Sequence, residues 1–184
     1  MALVHRQSVE SQIDFNAVVG TNFVPSETQA DWVRWCYASI NKHFDNHKGN
    51  YELYLEGDDR TQLDENEFAE LRIDGPFLKF LIKGHYFLDI EINVLCQTHN
   101  DPRQHYKAQE LVGVFTNAFR NIIPVYRYGN GPFDDGSLLG CFHLQRDLRE
   151  SIDINYYGII RQDTRLLQTT IEAHYRLELW TKGE

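Results

Sequence analysis

The stretch Tyr86-Phe87-Leu88-Asp89-Ile90-Glu91-Ile92-Asn93-Val94-Leu95-Cys96-Gln97 sets apolar side chains on the even positions and mostly polar ones between them. Successive side chains of a strand point to opposite faces. Period two held over a dozen residues therefore predicts a strand roughly twice the usual five or six residues, with one face buried. The same pattern returns near the end of the chain, where Leu167, Thr169, Ile171, Ala173, Tyr175, Leu177 and Leu179 alternate with Gln168, Thr170, Glu172, His174, Arg176, Glu178 and Trp180. Two one-sided strands of this kind are expected to pair antiparallel.

Between and before them the period changes to that of a helix. Trp32, Trp35, Cys36, Ile40 and Phe44 recur at spacings of three and four. Ser26 and Gln29 have the form of a capping box, and Glu27 sits where the positive end of the helix dipole favours an acid. An amphipathic helix of about 18 residues, ending before Gly49, is expected there. Leu111, Val114, Phe115, Ala118, Phe119 and Ile122 form a second stripe. Asn100-Asp101-Pro102 is expected to open that helix with Pro102 at the first helical position, and Pro124 to stop it beyond about Asn121. The fold class that follows is α+β: a mostly antiparallel sheet with long strands and two main helices packed on its apolar face.

The remaining segments are shorter. Tyr51 to Leu55 reads as a short strand, as do Val125 to Tyr128, Leu138 to Gln145 and Ile152 to Tyr157, with Gly158 to Arg165 as a linker. Phe68 to Ile73 and Phe77 to Ile82 read as two strands separated by a Gly75-Pro76 turn. At 184 residues the length suits one domain, because chains split mainly beyond about 250 residues. Residues 1–25 are expected to form an N-terminal arm and residues 26–184 a single α+β domain, with an insert at about 124–165.

Composition narrows the function classes. Acids outnumber bases 27 to 18, for a formal charge of −9, which argues against gripping nucleic acid through clustered Lys and Arg. Cys36, Cys96 and Cys141 are odd in number and lie far apart, so CxxC zinc and dithiol motifs are absent. No apolar run approaches the roughly 20 residues that span a bilayer. Met1 to Glu10 has no apolar stretch of the signal-peptide kind, so the expected address is the cytosol or a particle assembled there, with no membrane contact.

Residues capable of chemistry do not converge in the sequence. His43 and His47 share a helix spacing, but no third ligand or intervening Glu accompanies them. His99 and His105 lack partners in the same way, and His174 falls on the polar face of the last strand. Asp89 and Glu91 share one strand face with no pocket evident around them, so a solvated face is expected. Gly129-Asn130-Gly131 runs into Pro132, which lacks the backbone donor a phosphate cradle needs. No GxSxG or family-specific cysteine frame occurs. The reading is of a protein that is not an enzyme, without catalytic residues, metal or cofactor. The concentrated feature is the loop Gly57 to Glu67, where Asp58, Asp59, Asp64, Glu65 and Glu67 put five carboxylates into eleven residues, the pattern either of a solvated surface loop or of a pore lining.

The order helix, short strand, acidic loop, long strand, helix, insert, long final strand resembles the tail terminator proteins of long-tailed bacteriophages. The residues carrying the resemblance are Tyr86 to Val94 and the closing Thr170-Ile171-Glu172-Ala173-His174-Tyr175-Arg176-Leu177-Glu178-Leu179. The arm up to Pro25 and the insert from Pro124 to Arg165 are larger than in small terminators. The resemblance implies a structural virion protein, a homohexameric ring in the neck that caps the tail tube and joins it to the head connector. DNA would pass through without specific binding, and Asp58, Asp59, Asp64, Glu65 and Glu67 would line the channel and repel it. The alternative is a small cytosolic binding module or accessory subunit that recruits a protein through its aromatic surface. A third reading is an enzyme whose site no motif reveals.

Overall fold

The computed structural model describes residues 29–58, 67–82, 85–99, 106–128, 135–145, 152–161 and 166–180. In chain order the elements are α1 (Gln29–Asp45), β1 (Glu52–Leu55), β2 (Phe68–Ile82), β3 (His85–His99), α2 (Lys107–Ala118), β4 (Ile122–Tyr126), β5 (Leu138–Leu144), β6 (Asp153–Arg161) and β7 (Leu166–Trp180). The seven strands form one curled, mostly antiparallel sheet in the order β1-β2-β3-β7-β5-β4, with β6 pairing to β7 off this path. The fold is α+β. The N-terminal arm and the capping box at Ser26 lie outside the described residues.

β3 and β7 pair antiparallel from His85↔Trp180 to His99↔Leu166 without a register break. The alternation seen in the sequence becomes the two faces of this pair. Leu88, Ile90, Ile92, Val94 and Cys96 of β3 and Ile171, Ala173, Tyr175 and Leu177 of β7 are buried. They join Trp32, Trp35, Cys36, Ile40 and Phe44 of α1 and Leu111, Val112, Phe115 and Ala118 of α2 in one core. Fully burying each large side chain of this set contributes roughly 1.5–3 kcal/mol.

β2 departs from the expected two strands. It is continuous, and Gly75-Pro76 is a bulge rather than a turn. Before it the paired positions are Phe68↔Gln97 through Asp74↔Glu91; after it they are Phe77↔Asp89 and Leu78↔Leu88, one residue out of step. The extra residue keeps the apolar residues on the core side, since Ala69 and Leu71 are odd-numbered and Leu78 is even, and all three are buried. Gly75 has φ 111 and a cis bond to Pro76. A Cβ at Gly75 would lie 2.8 Å from the Asp89 carbonyl oxygen, so only glycine fits. The Tyr37 hydroxyl lies 3.0 Å from the carbonyl oxygen of Ile73 and 2.9 Å from that of Gly75, tying α1 to the bulge.

Three other boundaries differ from expectation. α2 begins at Lys107, with Tyr106 at its N-cap and no side-chain cap, so Pro102 is not its first residue. Pro124 lies inside β4 rather than ahead of it. A proline is tolerated there because β4 ends the strand path, and its outer edge makes no ladder among the described residues. The segment read as a linker after Tyr157 continues β6 as far as Arg161, across a bulge between Tyr156 and Gly158.

Candidate functional site

The five loop carboxylates are only partly described. Asp59, Asp64 and Glu65 lie outside the described residues. Asp58 is exposed and closes a turn after β1: its carboxylate accepts the Leu55 N–H at 2.8 Å, and its own N–H donates to the Leu55 carbonyl at 3.1 Å. Glu67 precedes β2 and accepts from Lys107 Nζ of α2 at 2.7 Å. β1 and β2 run parallel, Glu52 beside Phe68 and Leu55 beside Leu71. Asp58 and Glu67 therefore stand at opposite ends of that pair and are not brought together.

The pair His43, in the last turn of α1, and His47, just beyond it, is structural. His43 Nε2 lies 2.8 Å from the Ala118 carbonyl oxygen, and His47 Nδ1 lies 2.6 Å from the His43 carbonyl oxygen. Both acceptors are carbonyls, so these nitrogens carry the hydrogens. His43 joins the end of α1 to the end of α2, while His47 satisfies a carbonyl that the last helical turn leaves open. Burial lowers the pKa of His43, the Ala118 hydrogen bond partly opposes this, and His47 adds to the lowering. No group of three His, Cys, Asp or Glu side chains among the described residues is placed to hold a metal ion. The thiols of Cys36 and Cys96 are pushed up to about 12 by burial, which makes them poor nucleophiles.

The arrangement that sequence reading missed lies on the polar face of β2, β3 and β7. Asp89 of β3 faces Phe77 of β2 and Arg176 of β7 in register. Arg176 Nε and Nη2 donate to the two Asp89 carboxylate oxygens at 2.6 and 3.0 Å. Lys79 Nζ lies 2.6 Å from Oδ2 of the same carboxylate. The guanidinium carbon also sits 4.2 Å from the centre of the Phe87 ring. The next row holds Glu91 and His174, 3.9 Å apart. A groove of about 380 Å³ opens here between Phe77, Lys79, Asp89, Glu91, His174 and Arg176. A solvated strand face was expected, and a partly enclosed one is present. The only signal in the sequence was that Asp89 and Arg176 both fall on polar-face positions; bringing them opposite requires the β3–β7 register.

The chemistry of this cluster is that of a clamp. Burial raises the Asp89 pKa, but the hydrogen bonds from Arg176 and Lys79 outweigh it and the net shift is downward. A general base works best with a pKa near the operating pH, and Asp89 is moved the other way. Its carboxylate holds one cation from each neighbouring strand and so pins β2, β3 and β7 in register. Comparison with protein-family models and with curated protein sequences finds no match.

Proposed function

We propose that the chain is a structural subunit of a bacteriophage tail neck, a tail-terminator-like protein. It assembles as a ring of about six copies, caps the tail tube, joins it to the head connector and lets DNA pass. The observation that supports this reading is the pairing of β7 with β3, residue for residue, from His85↔Trp180 to His99↔Leu166. The two strands that carry the resemblance thus lie side by side, and α2 follows the central one directly, in the element order on which the resemblance rests. In this reading both helices cover the apolar face of the long strands and the polar face is left for subunit or channel contacts. Asp58, Asp59, Asp64, Glu65 and Glu67 line the channel, where like charge keeps DNA from sticking as it slides. The protein acts in the virion without catalysis, metal or cofactor.

A second reading, a binding module that recruits another protein, is favoured by the exposed aromatics Tyr156 and Tyr157 of β6. Mass in solution by light scattering after size exclusion, with negative-stain images, separates the two. Rings of about six copies are expected. A tight dimer that never forms rings would transfer the assignment to the binding module. Replacing all five loop carboxylates with serine without loss of DNA delivery would remove the channel role from that loop.

A further inference from the structure

The margins of the sheet are not equally protected against contact. β1 is four residues long. β4 carries Pro124, and its Tyr126 N–H is taken by Ser39 Oγ of α1 at 2.9 Å. Short length, proline and cover are the devices by which natural sheets blunt their edges. β6 runs nine residues, Asp153–Arg161, with neither proline nor lysine, and among the described residues it pairs along one side only, to β7. Ile154, Tyr156 and Tyr157 stand exposed on it.

This margin also holds an electrostatic fault. Asp153 of β6 lies directly opposite Glu172 of β7. Like charges in directly opposed positions destabilise a sheet. Glu172 accepts a hydrogen bond from the Asn93 amide at 2.8 Å, but neither carboxylate has a cationic partner among the described residues. The opposite chemistry occurs at the corner leading into β4. Arg120, Asn121 and Ile122 are consecutive and all exposed, Ile122 by 48%.

We propose that the β6 margin receives the Arg120–Ile122 corner of a second copy of this chain, the guanidinium settling at the Asp153 and Glu172 carboxylates and Ile122 against the Ile154–Tyr156 ledge. The two surfaces differ, so the contact lets one copy follow another head to tail, as a closed ring requires. Each copy carries a formal −9, so association needs local opposite charge at the contact, where screening over about 8 Å leaves it effective. The inference names the subunit contact of the proposed ring and rests on that reading.

A charge swap tests it with the full-length protein. Asp153→Arg and Arg120→Asp are each expected to lower the assembled mass by roughly sixfold, to a single copy, and the double swap to restore it. Far-UV circular dichroism and the thermal midpoint check that each variant stays folded. Assemblies that persist in both single variants, or a double variant that stays a monomer, overturn this contact and leave the ring intact as a reading. A wild-type protein that stays a monomer at every concentration overturns both. A wild-type dimer that the single swaps dissolve and the double swap restores keeps the contact and ends the ring.

Discussion

Arg176 and Asp89 face each other across the central strand pair with both carboxylate oxygens engaged, at 2.6 and 3.0 Å, while Lys79 reaches the same group from the other side. Deleting the carboxylate strands two cations at once. Asp89→Ala is expected to cost about 1–3 kcal/mol, read as a lower urea midpoint. Lys79→Ala, which removes a half-exposed partner, is expected to cost less than about 1 kcal/mol. Equal losses in the two variants would contradict the clamp.

The acid side of stability follows from the same group. Its folded-state pKa lies below the usual carboxylate value, so the unfolded chain binds the proton more readily at low pH. The stabilisation is present above about pH 3.9 and is lost as pH falls from there through the folded value. Wild type is expected to lose stability more steeply below pH 4 than Asp89→Asn does. Parallel acid-denaturation curves would show that Asp89 contributes nothing to this slope.

His43 acts in a higher range. Burial holds its folded pKa below the ordinary value, with the Ala118 hydrogen bond opposing and His47 assisting. The neutral ring is the folded form, so its contribution is full above about pH 6.5 and is lost as pH falls from there through the lower folded value. His43→Gln is expected to flatten stability between pH 7 and pH 5, measured by denaturant unfolding at each pH.

Gly75→Ala is expected to destabilise by about 2–3 kcal/mol, because φ is positive and the added methyl meets backbone rather than a yielding side chain. Gly136 also has positive φ, yet nothing lies within 4 Å of a Cβ built there. Gly136→Ala is expected to cost only about 1 kcal/mol, the strain alone. Thermal melts of the two variants give the comparison.

The thiols provide a test of packing. Cys36 and Cys96 are buried and Cys141 is half-buried. Under native conditions a thiol reagent is expected to modify Cys141 first, with Cys36 and Cys96 reacting only in denaturant, as read by mass spectrometry.

Much of the fold was legible in the sequence because two signals are strictly local. Alternation in Tyr86–Gln97 and Leu167–Trp180, and three-four spacing in Trp32–Phe44, come directly from backbone geometry. The errors arose where tertiary context decides. Gly75-Pro76 makes a turn in isolation and a bulge here because β3 pairs on both sides of it. A clue was present, since the apolar positions change from odd (Ala69, Leu71, Ile73) to even (Leu78, Phe80, Ile82), and a change of parity within one sheet face requires an inserted residue. The Asp89 groove was illegible for a different reason. Arg176 lies 87 residues from Asp89 in the chain, and Lys79 of the neighbouring strand reaches the polar face only through the register shift at Gly75-Pro76, so no spacing rule records the meeting. Of the acidic loop, Asp58 and Glu67 alone are described, and the parallel β1–β2 pair sets them at opposite ends.

β7 is the strand on which the rest of the sheet waits. One of its edges takes all of β3, and the other is divided between β6 along Leu166–Glu172 and β5 at Tyr175 and Arg176. All three partners precede it in the chain, so on the ribosome they emerge before the strand that joins them. β3 must then pass through synthesis with one apolar face and one bare edge, a state that invites aggregation. Folding is delayed until β7 appears, and chains ending before Leu166 are expected to fail as a whole.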